Sequence, residues 1–514
     1  MIVIYHINNC VISVRKLDGT ELSFKKGRPN EVLFEIASRF KEEYVLWCSE
    51  EARHNLNIDV LEKLFDHHRL MLSYGDVNRP FLTKDIGYIE DTPFVKIPGD
   101  VTYPTWQMHS YVGGIHATVL NEISTSVNVD VNFDFLLNSI AKKAQAQGLI
   151  CLSEPQLVKD QALVKSLIAT REELYTFVSK HYKKRWLFFL FIMHAKYSRT
   201  YPVVNVLRCL FKKNSSHINI DFNKIVFETF KPEGSLPLQI DVVIPTLGRE
   251  KYLVDVLNDF KNQTLLPKKV IVVEQNPDIN SSSELDYLYS ENWPFEIDHM
   301  FIHTTGVCNA RNLALKKCAS EWVFLFDDDG RLTNDTLQEI QKTLFKTNAK
   351  CINMSYLQKG EKETNVHLKQ WPYFGAGCSV IHKSALVNVS FDPALEHGYG
   401  EDVDFGMQIR NNGADILYAP NIKITHLKAP IGGFRSKKVF PWQIEGAILP
   451  KPSPQVMYHR EKNTTNKQLI GYKWVLFFKF YKENSIKNPI SYIRYFRSAW
   501  EASQKWAQKL PFND

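Results

Sequence analysis

No Cys-x-x-Cys pair occurs in this chain, whose eight cysteines (Cys10, Cys48, Cys151, Cys209, Cys308, Cys318, Cys351, Cys378) are scattered over 514 residues. That spacing excludes a zinc ribbon or a dithiol redox centre. Several of the thiols lie in apolar runs, as reduced core cysteines of a cytoplasmic protein do. Long apolar runs are missing too: the longest, Trp186 to Met193, falls well short of the ~18 residues a spanning helix needs. Met1 to Ser13 has neither a basic leader nor a continuous apolar stretch, and its alternation predicts a first strand, not a secretion signal. Nor is there a strong charge bias. Lys plus Arg is 63 against 56 for Asp plus Glu, and an excess of +7 over this length does not imply a nucleic-acid partner. With 44% apolar and 23% charged residues, a disordered chain, collagen, a coiled coil and a small disulfide scaffold are all excluded. What remains is a folded protein of two to four domains.

The clearest architecture lies between Gln239 and Arg435, where apolar β-rich runs alternate with helical stretches, the pattern of a parallel sheet covered by helices. Ile240 to Pro245, Val270 to Val273 and Trp322 to Phe326 are its expected strands. Helices are expected over Tyr252 to Asn262, about Asn309 to Cys318, and Val403 to Asn411. The same order recurs earlier in the chain. EIASRFKEEYVLWCSEE and then IDVLEKLF match LALKKCASEWVFLFDDD and then NDTLQEIQKTLF. Further on, GGIHATVLNEI and NFDFLLNSIAKKAQAQGLICLSEPQL run parallel to GAGCSVIHKSALVNV and EDVDFGMQIRNNGADILYAPNIKI. Any α/β protein shows some such pattern, but the ordered recurrence favours a degenerate copy at 1–165. Its acidic tip is Ser49, Glu50 and Glu51, and Asn132 to Asp134 stand in place of Glu401 and Asp402.

Four segments follow: the copy at 1–165, a basic and aromatic helical linker at 166–235, the α/β domain at 236–436 and a helical tail at 437–514. Linker (KHYKKRWLFFLF) and tail (GYKWVLFFKFYKE) mix Lys and Arg with aromatics. That composition suits a peripheral membrane surface or, equally, helices that pack domains together.

Asp327, Asp328 and Asp329 follow the apolar run WVFLF directly, at the carboxyl end of a strand, where α/β folds place ligands. Three adjacent carboxylates repel one another unless a hard cation lies among them; a solvated acidic turn is the alternative. Glu401 and Asp402 form a second acidic pair, read as a positioned base or as an acidic helix start favoured by the macrodipole.

Four ordered motifs then become specific: PTLGR at Pro245, GVCNARN at Gly306, FLFDDD at Phe324 and GYGEDVDFGMQIR at Gly398. Together they resemble the nucleotide-sugar glycosyltransferases of the GT-A fold, family-two inverting type, over about two hundred residues. The resemblance implies a nucleotide-sugar donor, with uracil the usual base, and a Mn²⁺ or Mg²⁺ ion. It implies Asp329 as a metal ligand, Asp327 on the ribose or metal shell, Asp328 between them, and His426 completing the shell. It makes Asp402 the base, with Glu401 orienting the acceptor. Pro245, Thr246, Arg249, Glu274, Gly306 and Arg311 would line the donor. Glu274-Gln275 departs from the family's usual Asp-Asp, which puts recognition of the base in doubt. Trp371 and Tyr373 could stack on a sugar or belong to the core. Gly432 to Arg435, with Lys428, could close over the diphosphate or form a plain turn.

The expected activity is transfer of a sugar to a glycan hydroxyl in surface polysaccharide synthesis, on an oligosaccharide or lipid-linked acceptor, by a cytoplasmic protein that touches the inner face of the membrane. A non-catalytic carbohydrate-binding or assembly protein is one alternative. A sugar-phosphate nucleotidyltransferase is another, although its glycine- and lysine-bearing phosphate loop does not follow the first strand. The oligomeric state stays open.

Overall fold

The computed structural model describes residues 1–7, 9–161, 167–211, 220–222, 225, 237–429, 439–443 and 448–510. They form two compact units, Met1–Phe230 with Thr465–Val475, and Lys231–Thr464 with Leu476–Asp514. The expected linker helices Arg171–His181 and Arg185–Met193 bury Leu174, Tyr175, Phe177, Leu187 and Leu190 in the amino-terminal core. They are part of that unit.

In the amino-terminal unit the described strands are β1 (Ile2–Ile7), β2 (Cys10–Lys16), β3 (Tyr44–Ser49), β4 (Leu70–Tyr74), β5 (Tyr103–Pro104), β6 (Val112–His116) and β7 (Ile150–Ser153). Their order is β2-β1-β3-β6-β4-β7-β5. The expected single strand Met1 to Ser13 is therefore a hairpin, β1 with β2, and Cys10 at its turn is exposed rather than a core thiol. Cys318 is half-buried, the other six thiols are buried, and none of the eight is disulfide-bonded.

The carboxy-terminal unit has β8 (Ile240–Leu247), β9 (Lys269–Gln275), β10 (Glu296–Ile302), β11 (Trp322–Phe326), β12 (Gly330–Arg331), β13 (Cys351–Gln358), β14 (Lys369–Gln370), β15 (Cys378–His382) and β16 (Leu417–His426). The order is β10-β9-β8-β11-β15-β13-β16-β12, with β14 also on β16. Core side chains cover both faces: Val242, Ile244, Phe324 and Phe326 on one, Val243, Ile271 and Leu325 on the other. This explains why these strands read as unbroken apolar runs. The sheet is mixed, not parallel throughout, because β15 runs antiparallel to both β11 and β13. Strand periodicity cannot report direction, so the sequence could not show this.

Five strands correspond across the units. β1-β3-β6-β4-β7 and β8-β11-β15-β13-β16 share the same directions in turn: parallel, antiparallel, antiparallel, parallel. Each last strand carries a short antiparallel one, β5 on β7 and β14 on β16. The units differ beside the first strand, where β2 folds back on β1 but β9 and β10 extend the other sheet in parallel. Register fixes the equivalences at the tips. Cys48 pairs with Val112 as Phe326 pairs with Cys378, so Ser49, Glu50 and Glu51 take the places of Asp327, Asp328 and Asp329. No described helix is long and apolar enough to cross a membrane.

Candidate active site

The site gathers where β8 and β11 end. Pairing of β8 with β11 stops at Val243, so Pro245, which has no N–H to offer, stands where only β9 remains alongside. Thr246, one residue on, donates its hydroxyl to Asp328 at 2.7 Å, and Arg249 reaches the same carboxylate at 2.5 Å. Arg249 also lies 3.4 Å from Asp329. Burial raises the Asp328 carboxyl to about 6 despite Arg249 and Thr246. Asp328 is thus an internal strut that holds the two β8 residues, not a group presented to a ligand.

Asp329 is different. Burial works to raise its pKa, but His426, the Ala429 N–H and Arg249 together hold it at about 2, a carboxylate ionised throughout the neutral range. The Ala429 N–H donates to it at 2.9 Å, and His426 Nε2 lies 3.6 Å away. The His426 ring is stacked on Tyr356, whose hydroxyl donates to Asp329 at 3.4 Å. An oxygen and an imidazole nitrogen therefore converge, a donor pair that suits a divalent ion such as Mn²⁺. Among the described residues no three His, Cys, Asp or Glu side chains gather as a complete ligand set, so the diphosphate or water would have to supply the remaining positions.

Helix Val307–Leu315 carries Arg311, which is 5% exposed. Its guanidinium donates to Asp327 at 2.9 Å and lies 3.5 Å from Asp402, and Phe391 packs beneath it at 5.2 Å. One buried cation thus ties the tip of β11 to the acidic pair. Asp327 in turn leans on Gly377, where an added Cβ would stand 2.2 Å from the carboxylate. Of the GAG segment, Gly377 is the position that needs glycine.

Glu401 and Asp402 lie inside the first turn of helix Glu401–Asn411, two residues earlier than expected, after Gly400 at φ 112. Asp402 accepts the Ala376 N–H at 3.1 Å. Burial raises both carboxyls; repulsion from Asp402 adds to the rise at Glu401, while Arg311 opposes it at both. Five carboxyl groups (Asp327, Asp328, Asp329, Glu401, Asp402) thus face two guanidiniums, and the imbalance calls for further positive charge.

Two expected donor residues are engaged elsewhere. Glu274 accepts from the Ser283 hydroxyl at 2.6 Å, the Glu284 N–H at 3.2 Å and His299 at 3.0 Å. Gly306, at φ +152, donates its N–H to Gln275 at 2.6 Å. The amino end of its helix is capped by Glu396, which accepts from Cys308 at 3.1 Å and Asn309 at 2.9 Å. That carboxylate meets the helix N–H groups a phosphate would otherwise use. Trp371 is stacked on Tyr418 with ring centres 4.3 Å apart, whereas Tyr373 is exposed. Gly432 to Arg435 lie outside the described residues.

Sequence reasoning missed Tyr356 and Glu396, which carry no motif, and did not give Gln275 its role at the Gly306 N–H. It also missed the tail's hold on the acidic helix. Fully buried Asp404 accepts from Asn463 at 2.6 Å and Lys462 at 3.0 Å, both from helix Pro454–Asn463. The second aspartate of EDVD was the available signal, since an aspartate buried in a helix's first turn needs partners.

Residues 241–393 of this chain match the model of the family described as Glycosyl transferase family 2. Over 104 residues it is 26% identical to the poly(ribitol-phosphate) β-N-acetylglucosaminyltransferase TarS of Staphylococcus aureus, covering 20% of this chain and 18% of the relative. The chain thus aligns with less than a fifth of that protein's length. Similar solved structures include S. aureus TarS 1-349 in complex with UDP-GlcNAc, at 17% identity and TM-score 0.35, covering 46% of this chain and 70% of that one. The longer TarS structure gives 19% and 0.31, covering 38% and 37%.

Proposed function

We propose that this protein is an inverting glycosyltransferase that moves a sugar from a nucleotide-diphosphate donor to a hydroxyl of a growing glycan. The observation that carries the reading is the buried Arg311, which joins Asp327 at the donor side to Asp402 at the acceptor side. Asp402 takes the proton of the acceptor hydroxyl as that oxygen bonds to the anomeric carbon. The bond from that carbon to the diphosphate breaks on the opposite face, and its electron pair leaves with the nucleotide. Burial makes Asp402 a stronger base than an ordinary aspartate. Glu401 orients the acceptor. Asp329 and His426 would hold a Mn²⁺ or Mg²⁺ ion, which when bound neutralises charge on the leaving diphosphate.

The solved complex of TarS with UDP-GlcNAc makes UDP-N-acetylglucosamine the first donor to try. Release of UDP from this and other UDP-sugars, with Mn²⁺ and a glycan acceptor, tests the reading. Turnover lost in Asp402→Asn supports it; turnover unchanged in that variant rejects Asp402 as the base, and no turnover by the unaltered chain with any UDP-sugar leaves a carbohydrate-binding role. Peripheral membrane contact is a further part of the proposal. Exposed Phe188, Val204, Leu207 and Phe211 lie on helices that also carry Arg185 and Arg208. Co-sedimentation with anionic but not neutral vesicles is the expected result, and no co-sedimentation would remove this part.

A further inference from the structure

The amino-terminal unit keeps a cavity of about 480 Å³ at the place equivalent to the active site, within the ~300–1,000 Å³ that small-molecule sites occupy. Its lining includes Ser49, Glu51, His109, Tyr111 and Asp134. Ser49 and Glu51 stand where Asp327 and Asp329 stand in the other sheet. Asp134 holds the second position of helix Phe133–Gln145, as Asp402 does in Glu401–Asn411. It accepts the Ser110 N–H at 2.8 Å, and by strand register Ser110 is the counterpart of Ala376, whose N–H reaches Asp402. The base-bearing half of the site is thus preserved in geometry. The donor half is not, because among the described residues no Lys or Arg lines this cavity.

His109 points to a ligand. The residue is 4% exposed, and its buried Nε2 meets no hydrogen-bonding partner in the protein. Its Cγ–Nδ1 edge is pressed against Gly75, where an added Cβ would stand 2.4 Å away. Its main chain is fixed by Ser73 Oγ at 3.1 Å and by Trp47 Nε1 at 2.9 Å. A buried polar atom left unpaired is costly unless something completes it.

We infer that this cavity binds an uncharged saccharide unit: carboxylates and His109 take hydroxyls, the Tyr111 ring takes the apolar face of a sugar, and a described lining with Glu51 and Asp134 but no Lys or Arg disfavours a nucleotide diphosphate. If the chain is the transferase proposed above, this unit grips the acceptor glycan without modifying it. The binding itself does not depend on that reading.

Saturation-transfer NMR on the full chain, with N,N′-diacetylchitobiose, cellobiose and maltose as neutral probes and UDP as the anionic one, tests this. At least one disaccharide should bind, and Tyr111→Ala should weaken it about tenfold, the scale of losing one anchor ring, with UDP binding unchanged. Should Tyr111→Ala fail to fold, Glu51→Trp, at an exposed position, should block the cavity with the same result. Three outcomes overturn the inference: no disaccharide bound, disaccharide binding indifferent to both variants, or UDP binding lost in either. Absence of UDP binding to the unaltered chain, with disaccharide binding intact, would instead sink the transferase reading alone.

Discussion

β3 and β11 occupy the same place in two sheets of like order, and each ends in a short acidic segment, but the residues there face different tasks. After β11, Asp327 is paired with a buried arginine and Asp329 with a histidine. After β3, Glu50 pairs with Arg53 three residues on, a local bridge whose partners are 34% and 29% exposed. The strand framework is set by apolar side chains that either sequence supplies. What makes one tip a candidate catalytic site is cations delivered from elsewhere in the fold, Arg249 from the end of β8 and Arg311 from the preceding helix. A shared fold therefore does not carry a shared chemistry.

That contrast can be broken at several points. Asp402→Asn should cut the transfer rate by about 10²–10⁴, the usual worth of a positioned base; its counterpart Asp134→Asn should leave kcat with saturating acceptor unchanged. Steady-state kinetics on both variants decides. Arg311→Met strands two carboxylates and should destabilise the protein by about 3–5 kcal/mol, whereas Arg53→Met, at a half-exposed bridge, should cost under about 1 kcal/mol. Denaturant melts of the two variants give the comparison.

Ionisation sharpens it further. Burial raises Asp134 to about 6, as it does Asp328, so the folded state holds these protons to higher pH than the unfolded chain. Their stabilising contribution is complete below about pH 4 and lost as pH rises through about 6. Asparagine at 134 can still accept the Ser110 N–H and carries no charge. Asp134→Asn should therefore gain stability relative to the parent as pH rises over that window, by up to about 3 kcal/mol. An offset that does not change with pH would show that Asp134 titrates normally. A further loss is expected in the tail: Asn463→Ala removes a donor to buried Asp404 and should cost about 1–3 kcal/mol in a thermal melt.

Much of this organisation is legible in the sequence. Strands such as WVFLF are apolar because both faces are covered, and β11 has the expected bounds Trp322–Phe326. The repeat is visible because helix, strand and acidic tip recur in order, and the strand directions of the two sheets agree with it. Asp134 was harder to place. Matching NFDF to DVDF sets it opposite Asp404, but the helices start at Phe133 and Glu401, which sets it opposite Asp402. A helix start depends on its cap and on the chain leading in, which a match of side chains does not register. The links from Glu396 to the helix after Gly306, and from Lys462 and Asn463 to Asp404, span 58 residues or more and follow no spacing rule.

The most direct measurement is the stoichiometry of UDP binding by calorimetry with Mn²⁺, on the parent chain and on Asp329→Ala and Glu51→Ala. One site per chain, abolished by Asp329→Ala and untouched by Glu51→Ala, is the expected result, because the carboxy-terminal tip pairs its carboxylates with two arginines and a histidine, whereas the described bridge at the amino-terminal tip is the local one from Glu50 to Arg53. Two sites per chain, or binding lost with Glu51 and kept without Asp329, would contradict the division between the two units.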